Sequence, residues 1–187
     1  MPRFFASTAA VLLLFCSSVQ AQVLPKGIKG IQLGMTKAQV FDRVKALTQG
    51  MSGVRPMKCE TKPHPTLPYL NCFLVEGMTY ANVPVVFAEF KFKADVLHSV
   101  ELTAELILEP ELAEQRGRIS TAVSQLITSR PLVEPTALTW KDEKSSLIVM
   151  KGHLSDTPAN VVAYYTKEYM VDVMRALKGT GAEKLDL

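Results

Sequence analysis

The sequence predicts an α+β protein with a two-layer architecture, in which a mainly antiparallel sheet carries its helices packed on one face. Between residues 82 and 108 apolar side chains recur at every second position, which is typical of strands with one buried face. Two other segments carry signals for the start of a helix. One has a capping box near residue 36, and the other has a proline between two acids near residue 110. Helices on one face of such a sheet are the simplest layered packing.

The first helix is predicted to begin after Thr36. The Thr36 side chain is a strong N-cap, and Gln39, three residues later, completes a capping box. An apolar stripe then continues to about Thr48, and Gln49 and Gly50 end the helix.

Strands account for most of the remaining chain. The segments with strand periodicity are 57–61, 69–76, 82–92, 96–108, 137–141, 145–151 and 161–165. The second helix is predicted to begin at Glu109, with Pro110 and Glu111 in its first turn. Residues 155–160 are predicted to form a loop.

The C-terminal segment leaves two readings open, because residues 167–178 fit an amphipathic helix while part of their alternation also fits a strand. The chain order is helix, strands, helix, strands. This order is compatible with two helix-plus-meander halves, residues 30–108 and 109–178, within one domain.

The N-terminus has the pattern of a secretory signal peptide over residues 1–21. A basic residue is followed by an apolar run of about a dozen residues, and small residues precede a cleavage site after Ala21. The run is shorter than the roughly 20 residues that cross a bilayer, and the bulky Phe15 before Cys16 disfavours lipid attachment. We therefore expect residues 22–187 to be a periplasmic or secreted bacterial protein with no stable membrane insertion.

Cys59 and Cys72 are the cysteines of the mature chain, and two cysteines in an exported protein predict a disulfide. Closing a loop of this size stabilises a fold by about 3 kcal/mol in the chain-entropy account. The alternatives are two free thiols, or half of a metal site with His64 between them. Because a zinc site needs about four ligands at compact spacing, no metal is expected.

No motif in the sequence indicates a reaction. The nucleophile elbow, the phosphate-binding loop, the dinucleotide fingerprint and the zinc-protease signature are missing from it. His98 has no partner in a recognised motif, and His153, Ser155 and Asp156 are crowded together, whereas triads assemble from separated segments. The net charge of +3 is too small to indicate nucleic acid. We therefore expect no catalytic residue, no cofactor and no nucleic-acid partner.

The segment between the two cysteines is the strongest candidate for contact with a partner. Its prolines exclude regular helix and favour a stiff loop. A stiff loop tethered at its base loses little entropy on binding, although the same tether would also serve stability alone. The predicted contact residues are Lys62, Pro63, His64, Pro65, Leu67, Pro68 and Tyr69.

Residues 30–41, with Gly34, Thr36 and Gln39, resemble the helix start of small exported bacterial α+β domains. The segment is similar to that of the SmpA/OmlA family of outer-membrane assembly lipoproteins and of the β-lactamase-inhibitor-protein-like domains. In those families a helix opened in this way packs on an antiparallel sheet. The resemblance implies a non-enzymatic module that binds a partner in the bacterial envelope.

These patterns together predict a periplasmic module that binds another envelope protein or macromolecule in an assembly, inhibitor or accessory role. Two alternatives stay open. One is a periplasmic hydrolase with an unrecognised site, in which His98 or His153 meets a carboxylate or hydroxyl from a distant segment. The other is a carrier of a small apolar ligand, held between helix and sheet.

Overall fold

The fold is built from three helices and two antiparallel sheets within the residues that the computed structural model describes. Those residues are 27–52, 54–63, 66–106, 109–126, 132–133, 137–154 and 157–179. The helices are α1 (Lys37–Thr48), α2 (Glu109–Leu126) and α3 (Lys167–Gly179). The strands are β1 (Gly27–Ile28), β2 (Ile31–Gln32), β3 (Lys58–Cys59), β4 (Leu70–Tyr80), β5 (Val83–Lys93), β6 (Val96–Ala104), β7 (Leu132–Val133), β8 (Ala137–Lys141), β9 (Ser145–Leu154) and β10 (Thr157–Thr166). The predicted α+β class with a mainly antiparallel sheet is confirmed.

The capping box predicted at the start of α1 is present. The Thr36 hydroxyl accepts the backbone N–H of Gln39 at 3.3 Å, and the Gln39 side chain accepts the backbone N–H of Thr36 at 2.9 Å. The helix ends at Thr48 with Gln49 as its C-cap, as the sequence predicted. Local chemistry therefore defines both ends of this helix.

The large sheet has eight strands in the order β3-β4-β5-β6-β10-β9-β8-β7, and β1 and β2 form a separate hairpin. Each neighbouring pair is antiparallel. From the central β6–β10 pair the strands run outward in reverse chain order on both sides. A helix followed by four strands thus occurs twice in the chain, which is the order on which the predicted halves were based. The division into halves stays a prediction.

One face of the large sheet holds the apolar core. A row of residues paired across five strands is at most 4% exposed, namely Cys72, Phe90, Val100, Tyr164 and Leu147. Buried residues from two helices join the same cluster: Val40 and Val44 from α1, and Ile119 and Val123 from α2. Burial of these side chains is the main force that holds the two helices to the sheet.

The third helix contacts the opposite face. Neighbouring residues of a strand point to opposite sides, so Tyr165 points away from the core that contains Tyr164. The Tyr165 ring lies 6.2 Å from the ring of Tyr169 in α3. Lys91, in the same row as Tyr165, places its Nζ 5.9 Å from the centre of the Tyr169 ring.

Residues 167–178 therefore form a helix rather than a strand. The helices were predicted to pack on one face of the sheet, but α3 contacts the face opposite to the one that α1 and α2 cover. The way in which the chain enters α3 explains why this helix lies on the other face. Thr166, the last residue of β10, caps the helix by accepting the backbone N–H of Tyr169 at 3.1 Å. The chain thus enters α3 directly from the strand, and the side of the sheet on which it emerges is not encoded in hydrophobic periodicity.

Strand pairing extends several strands beyond their predicted limits. β10 begins at Thr157, where Thr157 pairs with Leu154 of β9, so part of the segment predicted as a loop at 155–160 is strand. β4 continues to Tyr80 through a bulge after Val75. Ladder hydrogen bonds with a neighbouring strand override weak local preference in both places.

Candidate functional site

A disulfide closes the base of the loop that was predicted to contact a partner. Cys59 and Cys72 are bonded, and they are directly paired residues of β3 and β4. The predicted cysteine pair is therefore confirmed. Beyond it, the backbone N–H of Glu60 donates to the carbonyl of Asn71 at 2.9 Å. The loop thus departs from a base that is held by a covalent bond and by the sheet ladder.

Most of the described loop residues are exposed, whereas Tyr69 at the far end is buried. The exposed members of the predicted set are Lys62, Pro63 and Pro68. Leu67 is half-buried, and its carbonyl accepts the backbone N–H of Tyr69 at 2.7 Å. His64 and Pro65 lie outside the described residues. Tyr69 is only 2% exposed, so its side chain faces the protein itself and leaves little surface for a partner.

The loop borders a groove of about 120 Å³. Its lining comes from the loop, from the outward face of β4 and β5, and from α3, and consists of Glu60, Leu67, Tyr69, Asn71, Lys91 and Tyr169. On its β4–β5 side, Glu89 accepts a hydrogen bond from Asn71 Nδ2 at 2.9 Å and lies 3.6 Å from Lys91 Nζ. Polar groups are therefore held in place beside the aromatic rings of the groove.

Tyr69 connects the loop to α3 through a cluster of polar and aromatic groups. Its hydroxyl donates to Asp172 Oδ2 at 3.0 Å, and its ring meets the Tyr169 ring edge-on at 5.0 Å. Lys93 Nζ donates to the same Asp172 oxygen at 2.8 Å and to Glu168 Oε1 at 2.8 Å. The end of the loop, the β5–β6 hairpin and the first turns of α3 are thereby joined.

The electrostatics of this cluster keep its charged groups charged. The hydrogen bond from Lys93 holds the pKa of Asp172 below its ordinary value and does the same for the pKa of Glu168. These two hydrogen bonds in turn raise the pKa of Lys93. Burial, and then the hydrogen bond to Asp172, raises the pKa of the Tyr69 phenol. The phenol therefore stays protonated and able to donate across the physiological pH range.

His98 lies at the edge of this cluster because the register between β5 and β6 shifts there by one residue. Its Nδ1 is 3.0 Å from the Thr166 hydroxyl and 3.7 Å from Glu168 Oε2. Its ring also meets Tyr69 edge-on, with ring centres 5.5 Å apart. Burial lowers the pKa of His98, and the negative charge of Glu168 opposes that effect. The side chain of His98 is partly buried, with 13% of its surface exposed.

This arrangement meets part of what the hydrolase alternative requires, since a histidine lies beside a hydroxyl and a carboxylate from a distant segment. However, both groups approach the same ring atom of His98, whereas a triad places the nucleophile and the acid on opposite nitrogens. The Thr166 hydroxyl is also engaged as the cap of α3. Three further candidates lie outside what the structure describes: the side chain of His153, and residues Ser155 and Asp156.

Several residues of this site were not identified from the sequence. Lys91 alternates with the buried residues of β5 and therefore faces outward, but its neighbour Tyr169 depends on where α3 lies. Lys93, Glu168 and Asp172 were also missed. A signal was available, because two acids four residues apart on a helix occupy one face and suit a single lysine.

Two features are absent from the described residues. They contain no group of three or more His, Cys, Asp or Glu side chains placed to hold a metal ion. Among the helices of the described part, none has the length and apolar character needed to cross a membrane.

Comparisons with protein-family models, with curated proteins and with solved structures gave no match to this chain. The resemblance of residues 30–41 to the SmpA/OmlA and β-lactamase-inhibitor-protein-like domains therefore stays a prediction.

Proposed function

We propose that the protein is a non-enzymatic module that binds another protein or macromolecule of the bacterial envelope through the tethered loop and the groove beside it. One observation carries the proposal: the loop is fixed at one end by the Cys59–Cys72 disulfide and at the other by buried Tyr69, while Lys62 and Pro63 between them are exposed. A contact element that is ordered before binding loses little conformational entropy when the complex forms.

The size and lining of the groove favour a partner side chain over a free small molecule. Its volume of about 120 Å³ is below the roughly 300–1,000 Å³ of small-molecule sites. Leu67 and Tyr169 offer apolar and aromatic surface, and Glu60 and Lys91 add one charge of each sign. An anchor residue in a small pocket with polar groups around it is the usual centre of a protein interface.

Export and the layered arrangement are parts of the same proposal. Residues 1–21 act as a signal peptide that is removed after Ala21, and residues 22–187 function in the periplasm or the medium. The disulfide supports this location, because such bonds persist in oxidising compartments. α1 and α2 form one layer over the core face of the sheet, supported by the buried residues that both contribute to it.

Site-specific photocrosslinking tests the binding proposal. A photoreactive amino acid is placed at Lys62 or at Leu67 in exported protein, and at Lys141 as a matched control. Lys141 is exposed on β8, at the other end of the sheet. We expect both loop positions to capture one defined envelope partner that the control does not capture. Capture of nothing from the loop, or of the same proteins from all three positions, would overturn the proposal.

Export is tested separately by fractionation and N-terminal sequencing of the expressed protein. We expect the protein in the periplasmic or secreted fraction with Gln22 as its first residue. A cytoplasmic chain that retains residues 1–21 would contradict this part of the proposal.

A further inference from the structure

A second and larger groove lies between α1, the segment that follows it and strand β4. Its volume is about 440 Å³, which falls within the roughly 300–1,000 Å³ of small-molecule sites. Its apolar lining consists of Phe41, Val44, Met51, Val54, Met57 and Leu74. It shares no lining residue with the groove beside the tethered loop, so the two sites can be tested independently.

The helical wall of this groove follows from the spacing of its residues. Phe41, Val44, Lys45 and Thr48 recur at three- and four-residue intervals and so share one side of α1. Val44 is 3% exposed and lies at the inner end of this wall. The opposite wall continues from Met51, whose backbone N–H donates to the carbonyl of Thr48 at 3.1 Å.

The floor of the groove consists of core residues, and the segment beside it packs against a glycine of β4. Leu74 is 2% exposed and Met57 is 8% exposed, so these core side chains close the bottom of the groove. Val54 rests against Gly77, where an added Cβ would lie 2.7 Å from either Val54 methyl carbon. The close approach of the segment to β4 therefore depends on Gly77 having no side chain.

Cationic side chains stand at the rim. Lys45 comes from α1 and Arg55 from the opposite wall, and both are exposed. Neither forms an ion pair with another described residue. Asp42 is the acid among the lining residues, so the rim carries an excess of one positive charge. An apolar interior with an unpaired guanidinium at its rim is complementary to an apolar chain that ends in an anion.

We propose that this groove binds a single-chain amphiphile with an anionic head group, of the fatty-acid type. The chain lies along the apolar floor over Met57 and Leu74, and the head group accepts hydrogen bonds from Arg55 and Lys45. The volume, in the lower part of the small-molecule range, suits one acyl chain. This site would give the protein a ligand in addition to the macromolecular partner proposed above.

Binding of decanoate to purified, delipidated protein tests the proposal, with decanol as the uncharged ligand of equal chain length. Calorimetric titration at low salt should show saturable binding of one decanoate. Arg55→Gln should weaken decanoate binding by about tenfold, as expected for one charged hydrogen-bonding group at an exposed rim, and leave decanol unchanged. Lys58→Gln, an exposed lysine outside the groove, is the matched control and should change neither ligand.

A second variant tests the apolar part of the groove. Thr48 is half-buried on the helical wall, so Thr48→Phe should fill the space and abolish binding of both ligands. Circular dichroism establishes that each variant is folded, and Arg55→Gln carries the test if Thr48→Phe is not. Crosslinking from Leu67 should be unaffected by either variant, which separates this proposal from the partner-binding one.

Three outcomes would overturn the proposal. The first is no saturable binding of decanoate. The second is decanoate binding that neither Arg55→Gln nor Thr48→Phe changes. The third is a protein dimer in sedimentation velocity that Thr48→Phe dissociates, which would assign the groove to a second copy of the chain.

Discussion

Replacing Tyr69 with phenylalanine is expected to weaken the connection between the tethered loop and α3 while keeping the aromatic packing. The variant retains the ring contacts with His98 and Tyr169 at 5.5 and 5.0 Å. It removes the hydroxyl that donates to Asp172 Oδ2 at 3.0 Å. Because Tyr69 is 2% exposed, water has little access to the place of the lost hydroxyl.

The size of the effect follows from the other contacts of Asp172. A hydrogen bond to a charged group contributes about 1.5–3 kcal/mol to stability. Asp172 keeps contacts with Lys93 at 2.8 Å and with Arg175 at 3.1 Å, so we expect Tyr69→Phe to cost about 1.5 kcal/mol. In a domain of 150–250 residues this corresponds to a fall in Tm of about 3–6 °C.

A double-mutant cycle measures the connection directly. Urea unfolding is followed for the wild type, Tyr69→Phe, Asp172→Ala and the double variant, and we expect a coupling energy of about 1 kcal/mol between the two positions. Hydrogen exchange should also become faster in the first turns of α3. If the single Tyr69→Phe change costs less than about 0.3 kcal/mol and the two changes are additive, Tyr69 does not anchor the loop to the helix.

Three other consequences of the structure can be measured. Reducing the Cys59–Cys72 disulfide should lower the free energy of unfolding by about 3 kcal/mol, and a loss below about 1 kcal/mol would contradict a stabilising role for this loop closure. Gly77 has φ +83°, and Gly77→Ala would place a Cβ 2.7 Å from the Val54 side chain, so the variant should lose about 1–3 kcal/mol of unfolding free energy. Gly50→Ala, at φ +80° in open space, is the control and should lose less. Equal losses of stability in the two variants would show that the contact with Val54 is unimportant. Burial lowers the pKa of His98 below the ordinary 6.5. Just below pH 6.5 the unfolded chain therefore binds more protons than the folded chain. The free energy of unfolding then falls as the pH falls, by at most about 1.4 kcal/mol per pH unit. His98→Gln should flatten this part of the stability curve, and an unchanged slope between pH 7 and 5 would contradict the assignment.

The elements predicted correctly are those whose determinants lie close together in the chain. The ends of α1 depend on Thr36, Gln39 and the residues after Thr48, all within one short segment. The Cys59–Cys72 pair needed only the count of cysteines that follow the predicted signal peptide. The start of α2 at Glu109 likewise follows from the acids and the proline in its first turn.

Strand limits were harder to predict, because the hydrogen bonds that stabilise the end of a strand come from a neighbouring strand and not from the segment itself. Thr157 to Asn160 have loop-like composition but pair with β9. The chain reverses through residues with positive φ at Ala81-Asn82 and Ala94-Asp95, and the right-handed twist of the flanking strands favours such turns. The second of these turns lies between the predicted strand segments 82–92 and 96–108, so its place was predicted correctly.

Both proposed sites combine local and long-range features. The stiff loop between Cys59 and Cys72 and the apolar side of α1 can be read from neighbouring residues, because proline geometry and helical spacing act over a few residues. The burial of Tyr69, the position of His98 in a strand bulge and the side of the sheet that α3 contacts cannot be read in this way. They depend on strand register and on the direction in which the chain leaves β10, and these are set by contacts between segments far apart in the chain.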